Sequence, residues 1–202
     1  MSGKDSKIAA ESRWASASSF QDLCELCALF IEGQINYSPG YNAEAVDEET
    51  KSLVPFLTSF NRAGFLTTSS QPGLTELDYQ QRAYVGGFAR ESVARAIARL
   101  SLVTDLHVVT TPPGWELGFH TPVTQSDFMA CTWSGFTGFD EIEFFAEHCS
   151  HEAIVQLSQT WSVSVIDMQW GRGDHLWREL ARAICVSEKP HPERDDGVDF
   201  LL

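Results

Sequence analysis

A polar loop at the end of one candidate strand carries the densest cluster of hydrogen-bonding side chains in the sequence. Ser69, Ser70 and Gln71 precede Pro72 and Gly73, so hydroxyls, an amide and backbone N–H groups meet at one rim. Such donors can hold a carboxylate, phosphate or sulfate without any lysine. The alternative is a capped turn that ends the strand, which Pro-Gly alone would explain. We favour an anion site, because polar loops carry functional sites more often than cores do.

Three charged residues follow this loop. Arg82 begins the next candidate strand, and if the two strands pair, its planar guanidinium offers a bidentate fork to an anion held near Ser69. An exposed strand arginine is an equally good interpretation. Asp78 and Glu76, in the connecting loop, are either acid–base groups or simple turn acids, and we favour the turn.

A second notable turn lies between the last candidate strand and the last candidate helix. The strand ends at Asp167, and Trp170 and Arg172 follow among glycines. An arginine, a tryptophan and a helix N-terminus together predict an anion or aromatic pocket, with Asp167 as a candidate base. The alternative is a structural connection anchored by a buried tryptophan.

Other patterns point away from metals and cofactors. His148, Cys149 and His151 stand close together, but Ser150 is expected to break the helix there and no distant ligand pair completes a zinc site. The Cys24–Cys27 pair falls inside an amphipathic helix rather than after a strand, unlike a thioredoxin-type motif. Glycine-rich nucleotide loops and the GxSxG elbow are absent from the sequence. We therefore expect no metal and no cofactor.

Periodicity predicts an α+β fold, with a mixed or antiparallel central sheet flanked by helices in one domain. The domain is expected over residues 19–187, after a flexible segment at 1–18 and before an acidic, proline-containing tail at 188–202. In the second helix, Pro55 predicts a kink or a later start. Predicted helices begin near Phe20 and Asp47 and cover 91–100, 140–148, 151–160 and 174–186; predicted strands cover 65–69, 82–88, 106–110 and 161–167, with one or two more between 118 and 137.

Charge and composition narrow the classes of partner. The 202 residues carry a formal net charge of −14, with 28 acidic against 14 basic side chains. A nucleic-acid ligand is disfavoured because its binding needs a cationic surface, and an anionic membrane is disfavoured for the same reason. The sequence contains no apolar run long enough for a membrane helix and no signal peptide. Five scattered cysteines suit a reducing compartment, so we expect a cytoplasmic protein.

The runs 61–73 (NRAGFLTTSSQPG) and 81–88 (QRAYVGGF) resemble an uncharacterised domain family common in streptomycetes. Pro39-Gly40-Tyr41 and the segment from Trp161 through Trp170-Gly171-Arg172 extend the resemblance, which spans Leu23 to about Leu180. The family has no established general activity. The resemblance implies that the Ser-Gln-Pro-Gly and Trp-Gly-Arg loops belong together. Between residues 118 and 145 the sequence does not resemble the family.

Small actinobacterial proteins of this size occur in natural-product pathways, so the resemblance also implies a class of chemistry. We expect a cofactor-independent enzyme acting on a small anionic metabolite, for example by ring closure or elimination with loss of sulfate. Asp167 or Asp78 would act as base, and the anion would contact Ser69, Ser70, Gln71, Arg82, Trp170 and Arg172. The alternative is a non-catalytic partner or immunity-like protein, which would expose an apolar patch on its first two helices. A homodimer, or a heterodimer with a related small protein, is expected in either case.

Overall fold

A computed structural model describes residues 3–39, 41, 44–115, 121–127, 129–134 and 139–186. The helices are α1 (Gly3–Ala15), α2 (Phe20–Ile31), α3 (Val54–Arg62), α4 (Glu91–Ala98), α5 (Leu100–Val103), α6 (Phe139–Ala146), α7 (His151–Leu157) and α8 (His175–Val186), with a 3-10 helix at Glu48–Leu53. The strands are β1 (Phe65–Gln71), β2 (Leu74–Thr75), β3 (Tyr79–Gln81), β4 (Tyr84–Ala89), β5 (Leu106–Thr111), β6 (Thr121–Ser126), β7 (Met129–Ser134) and β8 (Trp161–Asp167).

The strands form two antiparallel sheets. The first has the order β1-β4-β8-β5 and the second has the order β2-β3-β6-β7. Successive strands cross from one sheet to the other at two corners. Pro72 and Gly73 connect β1 of the first sheet to β2 of the second, and Arg82 and Ala83 return the chain from β3 to β4. The predicted single-domain α+β fold is confirmed, and the pairing of β1 with β4 brings the two corners together.

Local chemistry explains several element boundaries. The Ser19 side chain accepts a hydrogen bond from the backbone N–H of Asp22 and so caps α2, which ends before Gly33 at φ +73°. Pro55 occupies the first turn of α3, where its missing N–H costs nothing, so this α-helix starts later than the predicted residue 47. Ser150 caps α7 through the N–H of Ala153, as expected from the sequence.

The chain before Ser18 differs from the prediction of a flexible segment. It forms α1, and Trp14 and Ala10 are buried in the core. The Trp14 indole donates to the carbonyl oxygen of Tyr37 at 3.0 Å and packs against Phe145 at a ring distance of 5.9 Å. Burial of one large aromatic side chain favours docking of the whole of α1 onto the core, although most residues of this helix are polar. The predicted tail at 188–202 lies outside the described residues.

Buried aromatic and aliphatic side chains fill the space between the first sheet and the helices. Phe60 of α3 lies between Phe65 of β1 and Trp177 of α8, with ring centroids 6.4 and 6.5 Å away. The helices of the described residues are all too short or too polar to cross a bilayer.

Asn61 joins α3 to β1 and holds the strand that carries the polar loop. Its side chain is fully buried, its Nδ2 donates to the carbonyl oxygen of Leu57 at 2.8 Å and to Thr67 Oγ1 at 2.7 Å, and its Oδ1 accepts from the backbone N–H of Thr67 at 3.1 Å. Side-chain hydrogen bonds of this kind set where β1 starts relative to the helix.

We expect Asn61→Leu to lower the free energy of unfolding by about 2 kcal/mol, because it leaves the backbone N–H of Thr67 buried without its acceptor. Thr67→Val removes only the hydroxyl partner and should cost about half as much. Urea denaturation of the two variants measures both values. Equal losses would contradict the assigned role of the Asn61 Oδ1 atom.

Candidate functional site

The two polar loops singled out in the sequence lie against each other. The backbone N–H of Gly171 donates to the carbonyl oxygen of Gln81 at 2.9 Å, and the Arg82 guanidinium stacks over the Trp170 ring at 4.1 Å. A Cβ at Gly73 would stand 2.5 Å from the carbonyl oxygen of Arg172, so the close approach of the two backbones requires glycine. That the two loops meet is therefore confirmed.

Arg172 occupies the centre of an ion-pair network inside this corner. Its Nη2 lies 2.7 Å from Asp167 Oδ1 while its Nε contacts Asp167 Oδ2, and its two terminal nitrogens bind Asp105 at 2.8 and 2.9 Å. The Arg172 guanidinium lowers the pKa of Asp105 to about 2, and the two carboxylates raise the pKa of Arg172 above its usual range. The Asp167 side chain is fully buried. Its role as base stays a prediction, and a substrate proton would have to reach a carboxylate that has no exposed surface.

N–H groups of Arg82 and Gln71 also form hydrogen bonds within the protein. Arg82 donates to the carbonyl oxygens of Met168 at 3.0 Å and Pro122 at 2.8 Å, and burial lowers the pKa of Arg82. The Gln71 amide donates to the carbonyl oxygens of Arg82 and Val123 at 3.0 and 2.8 Å. These bonds tie the two sheets together at the corner. Anion binding by Arg82, Gln71 and Arg172 stays a prediction.

The remaining predicted residues separate into two groups. Asp78 lies in the exposed turn between β2 and β3, where its backbone oxygen accepts from the N–H of Asp127 at 3.0 Å, so the favoured turn interpretation describes its position. Trp170 covers Arg82 in the corner. Ser69 and Ser70 instead line a cavity whose described lining residues do not include Asp105, Asp167 or Arg172.

This cavity has a volume of about 150 Å³ and lies between β1, α2, α3, α6 and the loop before the 3-10 helix. A cavity of that volume accommodates a ring the size of benzene. Its lining is mostly apolar and aromatic, with one carboxylate and a row of hydroxyls; the described residues are Cys27, Phe30, Ile31, Ser38, Pro39, Tyr41, Val46, Thr50, Leu57, Thr67, Thr68, Ser69, Ser70, Glu141, Phe144 and Phe145.

A β-bulge lies in the part of β1 that lines this cavity. Thr67 pairs with Gly87 and Ser69 with Gly86, so Thr68 is the extra residue of the bulge. Bulges re-aim side chains and are common beside functional sites. A Cβ at Gly87 would overlap the backbone carbonyl oxygen of Leu66, so glycine is needed on the partner strand for the two backbones to pass. The four consecutive residues 67–70 consequently all line the cavity, which a regular strand could not achieve.

Glu141 provides the carboxylate of the cavity. Its Oε2 accepts a hydrogen bond from Thr68 Oγ1 at 3.2 Å. Burial raises the pKa of Glu141 to about 7, and the Thr68 hydroxyl acts weakly in the opposite direction. A carboxyl group with this pKa exchanges its proton near neutral pH, which is the property that a general acid or base needs. Buried carboxyl groups of this kind in a cleft are candidates for function on physical grounds.

The other titratable groups near Glu141 keep their protons at neutral pH. Burial raises the pKa of Cys27 to about 12, so this residue is a thiol and not a thiolate nucleophile. Burial also raises the pKa of Tyr41 and of Tyr84, and Glu141 and Glu49 contribute to the shift of Tyr84. Glu141 is thus the group of this set whose charge changes near pH 7.

Comparison with protein families assigns the chain to one family. The model of the family described as "Domain of unknown function (DUF6919)" matches residues 9–187. The chain belongs to this family. The match begins inside α1 and ends just after α8, so it includes the cavity and both corners. Comparison with curated proteins gives no match.

Glu141 was not among the site residues predicted from the sequence of this DUF6919 domain, although a signal for it exists there. It lies in the helix predicted at 140–148. Glu141, Phe144 and Phe145 stand at spacings of three and four, so the carboxylate shares a face with two aromatic side chains. A glutamate on the apolar face of a short helix indicates a buried carboxyl group.

Gly171 in the Trp-Gly-Arg loop of the DUF6919 domain provides a test of the corner. It has φ +72°, and a Cβ there would overlap the Thr75 hydroxyl. We expect Gly171→Ala to lower the free energy of unfolding by about 2 kcal/mol, of which about 1 kcal/mol comes from the backbone conformation alone. Gly33→Ala is the matched control, because Gly33 has φ +73° and nothing within 4 Å of its Cβ position. Chemical denaturation that gave the two variants the same loss would show that the loops do not touch at Gly171.

Proposed function

We propose that this protein is a cofactor-independent enzyme that transfers a proton to or from a small molecule in the cavity beside β1. Glu141 is the acid–base residue, and Thr68, Ser69 and Ser70 orient the substrate. The observation that supports this proposal best is the raised pKa of Glu141, about 7, in a cavity that also contains hydroxyl donors.

The reaction that suits these groups is loss of HX from the substrate, by ring closure or elimination. The Glu141 carboxylate takes a proton from an N–H or C–H group, and the electron pair of that bond forms the new ring bond or double bond. The bond from carbon to X breaks, and X leaves with its electron pair as an anion. Hydroxyl groups of Ser69 and Ser70 can donate hydrogen bonds to that anion as its charge develops. A role in natural-product biosynthesis is part of the proposal.

The non-catalytic alternative needs an exposed apolar surface on the first two helices. On α2 the apolar side chains are largely buried, including Phe20, Leu23 and Phe30, and on α3, the second helix predicted from the sequence, Leu57 and Phe60 are buried. This distribution favours a small-molecule site over a docking surface. Cys24, Cys27 and Cys149 are free thiols, which supports including a cytoplasmic location in the proposal.

Benzisoxazole tests whether Glu141 can act as a base. A base removes the ring C–H proton, the C–H electron pair forms the nitrile, and the N–O bond breaks to release a cyanophenolate that absorbs light. Its small bicyclic ring system suits a cavity of about 150 Å³. We expect turnover that rises with pH through an apparent pKa near 7 and falls at least about 100-fold in Glu141→Gln.

Glu143→Gln is the matched control, since Glu143 lies on the same helix and is exposed. It should leave the rate unchanged. The proposal is overturned if the rate in the wild-type protein equals that in Glu141→Gln, or if the rate profile follows a pKa near the ordinary glutamate value instead of one near 7.

A further inference from the structure

The cavity's charge and aromatic content define a substrate class more narrowly than proton transfer alone. Glu141 is the charged side chain among its described lining residues, and no lysine, arginine or histidine is among them. The nearest acidic neighbours increase the negative potential, because Asp47 bonds the Tyr41 hydroxyl at 3.2 Å and Glu49 raises the pKa of Tyr84. The whole chain carries a formal charge of −14. An electrostatic environment of this sign attracts cations.

Aromatic rings form a large part of the wall. Phe30 and Tyr41 meet edge to face with centroids 5.1 Å apart, and Phe145 is held by the Trp14 ring. Phe144 is 53% exposed and therefore stands where the cavity meets solvent. Ring faces attract ammonium groups through their quadrupoles, and a desolvated carboxylate adds a charge-assisted hydrogen bond.

We propose that the cavity takes a small amine in its protonated form, with the ammonium group on the Glu141 carboxylate and the carbon skeleton among Phe30, Tyr41 and Phe145. This inference rests on the proposed function and names its substrate class. The bound ammonium is also a suitable reactant for ring closure. A proton passes from nitrogen to a Glu141 oxygen, the nitrogen lone pair becomes free, and that pair forms the new bond as the leaving group departs with its own electrons.

The pH dependence of binding follows from the titratable groups in the cavity wall and those next to them. Cys27 of α2, Tyr41 of the loop and Tyr84 of β4 keep their protons near pH 7, because burial raises the pKa of each. Glu49 of the 3-10 helix is engaged by Gln81 Nε2 at 3.1 Å. Amine affinity should therefore increase as Glu141 ionises, approaching about tenfold per pH unit below pH 7.

Three matched probes test the amine class by calorimetry or ligand-observed NMR: benzylamine, benzyl alcohol and benzoate. At pH 8 we expect benzylamine to bind at least about tenfold more tightly than benzyl alcohol, and benzoate to bind more weakly than either. Glu141→Gln should remove the preference for benzylamine, while Glu143→Gln should keep it. The preference should also shrink at pH 5.5.

The outcomes separate this inference from the proposed function. If benzyl alcohol or benzoate binds as tightly as benzylamine at pH 8 while benzisoxazole is still turned over, the amine class is wrong and the base remains. If benzylamine binds with the expected preference but benzisoxazole is not turned over, the cavity is an amine-binding site without catalysis. If no probe binds and no turnover occurs, both proposals fail. Inorganic sulfate serves as a further probe, and tighter binding of sulfate than of benzylamine would return the ligand to the anionic class.

Discussion

Arg172→Met is expected to lower the free energy of unfolding by about 3 to 5 kcal/mol, the largest effect of a single substitution in the corner between the two sheets. The reason is the partner that the substitution leaves behind. The Asp167 carboxylate has no solvent-exposed surface, and Arg172 contacts both of its oxygens. Without Arg172, the backbone N–H of Gln169 still donates to Asp167 at 2.9 Å and Arg82 acts on it only through a weaker electrostatic interaction, so the charge loses its bonded cation. A buried carboxylate without its cation must take up a proton or draw in water, and either costs free energy.

Two further variants separate the lost ion pair from the lost packing. Asp167→Asn in the Arg172→Met background should recover at least about 2 kcal/mol, because it removes the stranded charge. Arg95→Met is the control for an exposed pair, since Arg95 and Glu91 are one helical turn apart and both more than half exposed. Its cost should stay within about 0.5 kcal/mol. Denaturant titration with constant m-values measures all four proteins, and a double variant as unstable as Arg172→Met alone would contradict the ion-pair explanation.

Elements with a single strong local signal were predicted well from the sequence. The strand predicted at 161–167 has the bounds of β8, and the helices predicted near Phe20 and from 151 begin where the side chains of Ser19 and Ser150 cap them. The Pro-Gly and Trp-Gly-Arg loops were correctly placed together. Their glycines explain why, because Gly73 and Gly171 allow the backbones of the two loops to approach within contact distance.

The use of the charged residues in that corner could not be predicted, because it depends on distant parts of the chain. Asp105 precedes β5 and is 67 residues from Arg172 in sequence, yet it binds the same guanidinium that Asp167 holds. The carbonyl oxygen that Arg82 reaches belongs to Pro122, in a segment whose strands were only loosely assigned. A lone sequence shows that arginines and aspartates are present. It does not show which of them neutralise each other, and an arginine paired inside the protein has fewer donors for a ligand.

The cavity depends on a bulge and a helix that periodicity alone does not connect. A regular β1 would direct alternate residues of 67–70 away from α6, and the bulge at Thr68 is set by the glycines of β4 rather than by β1 itself. The polar run was therefore recognised as unusual, but the cavity beside it was not predicted. Ser69 and Ser70 line this cavity together with Glu141 and aromatic residues.

Glu141→Gln is expected to stabilise the protein at alkaline pH and to have much less effect at pH 5. The sign follows from proton binding. Burial raises the pKa of Glu141 from an unfolded value near 4.5 to about 7, so between these values the folded state binds a proton that the unfolded state has released. Stability from this group is fully present below about pH 4.5 and is lost as pH rises through 7. The total loss is at most about 3.5 kcal/mol, since each of the about 2.5 pKa units corresponds to about 1.4 kcal/mol.

Glutamine keeps the shape and the hydrogen-bond acceptor for Thr68 but never ionises, so the variant avoids this loss. The difference in unfolding free energy between Glu141→Gln and wild type should increase by about 2 kcal/mol from pH 5 to pH 8, and Glu143→Gln should show no such increase. Urea titrations at both pH values measure it, and the common titration of all other carboxylates cancels in the difference. An ionisable group in an apolar cavity that serves chemistry rather than folding is expected to lower stability in this way. A flat difference across this range would mean that Glu141 is solvated in the folded state, and its role as a base near neutral pH would then be lost.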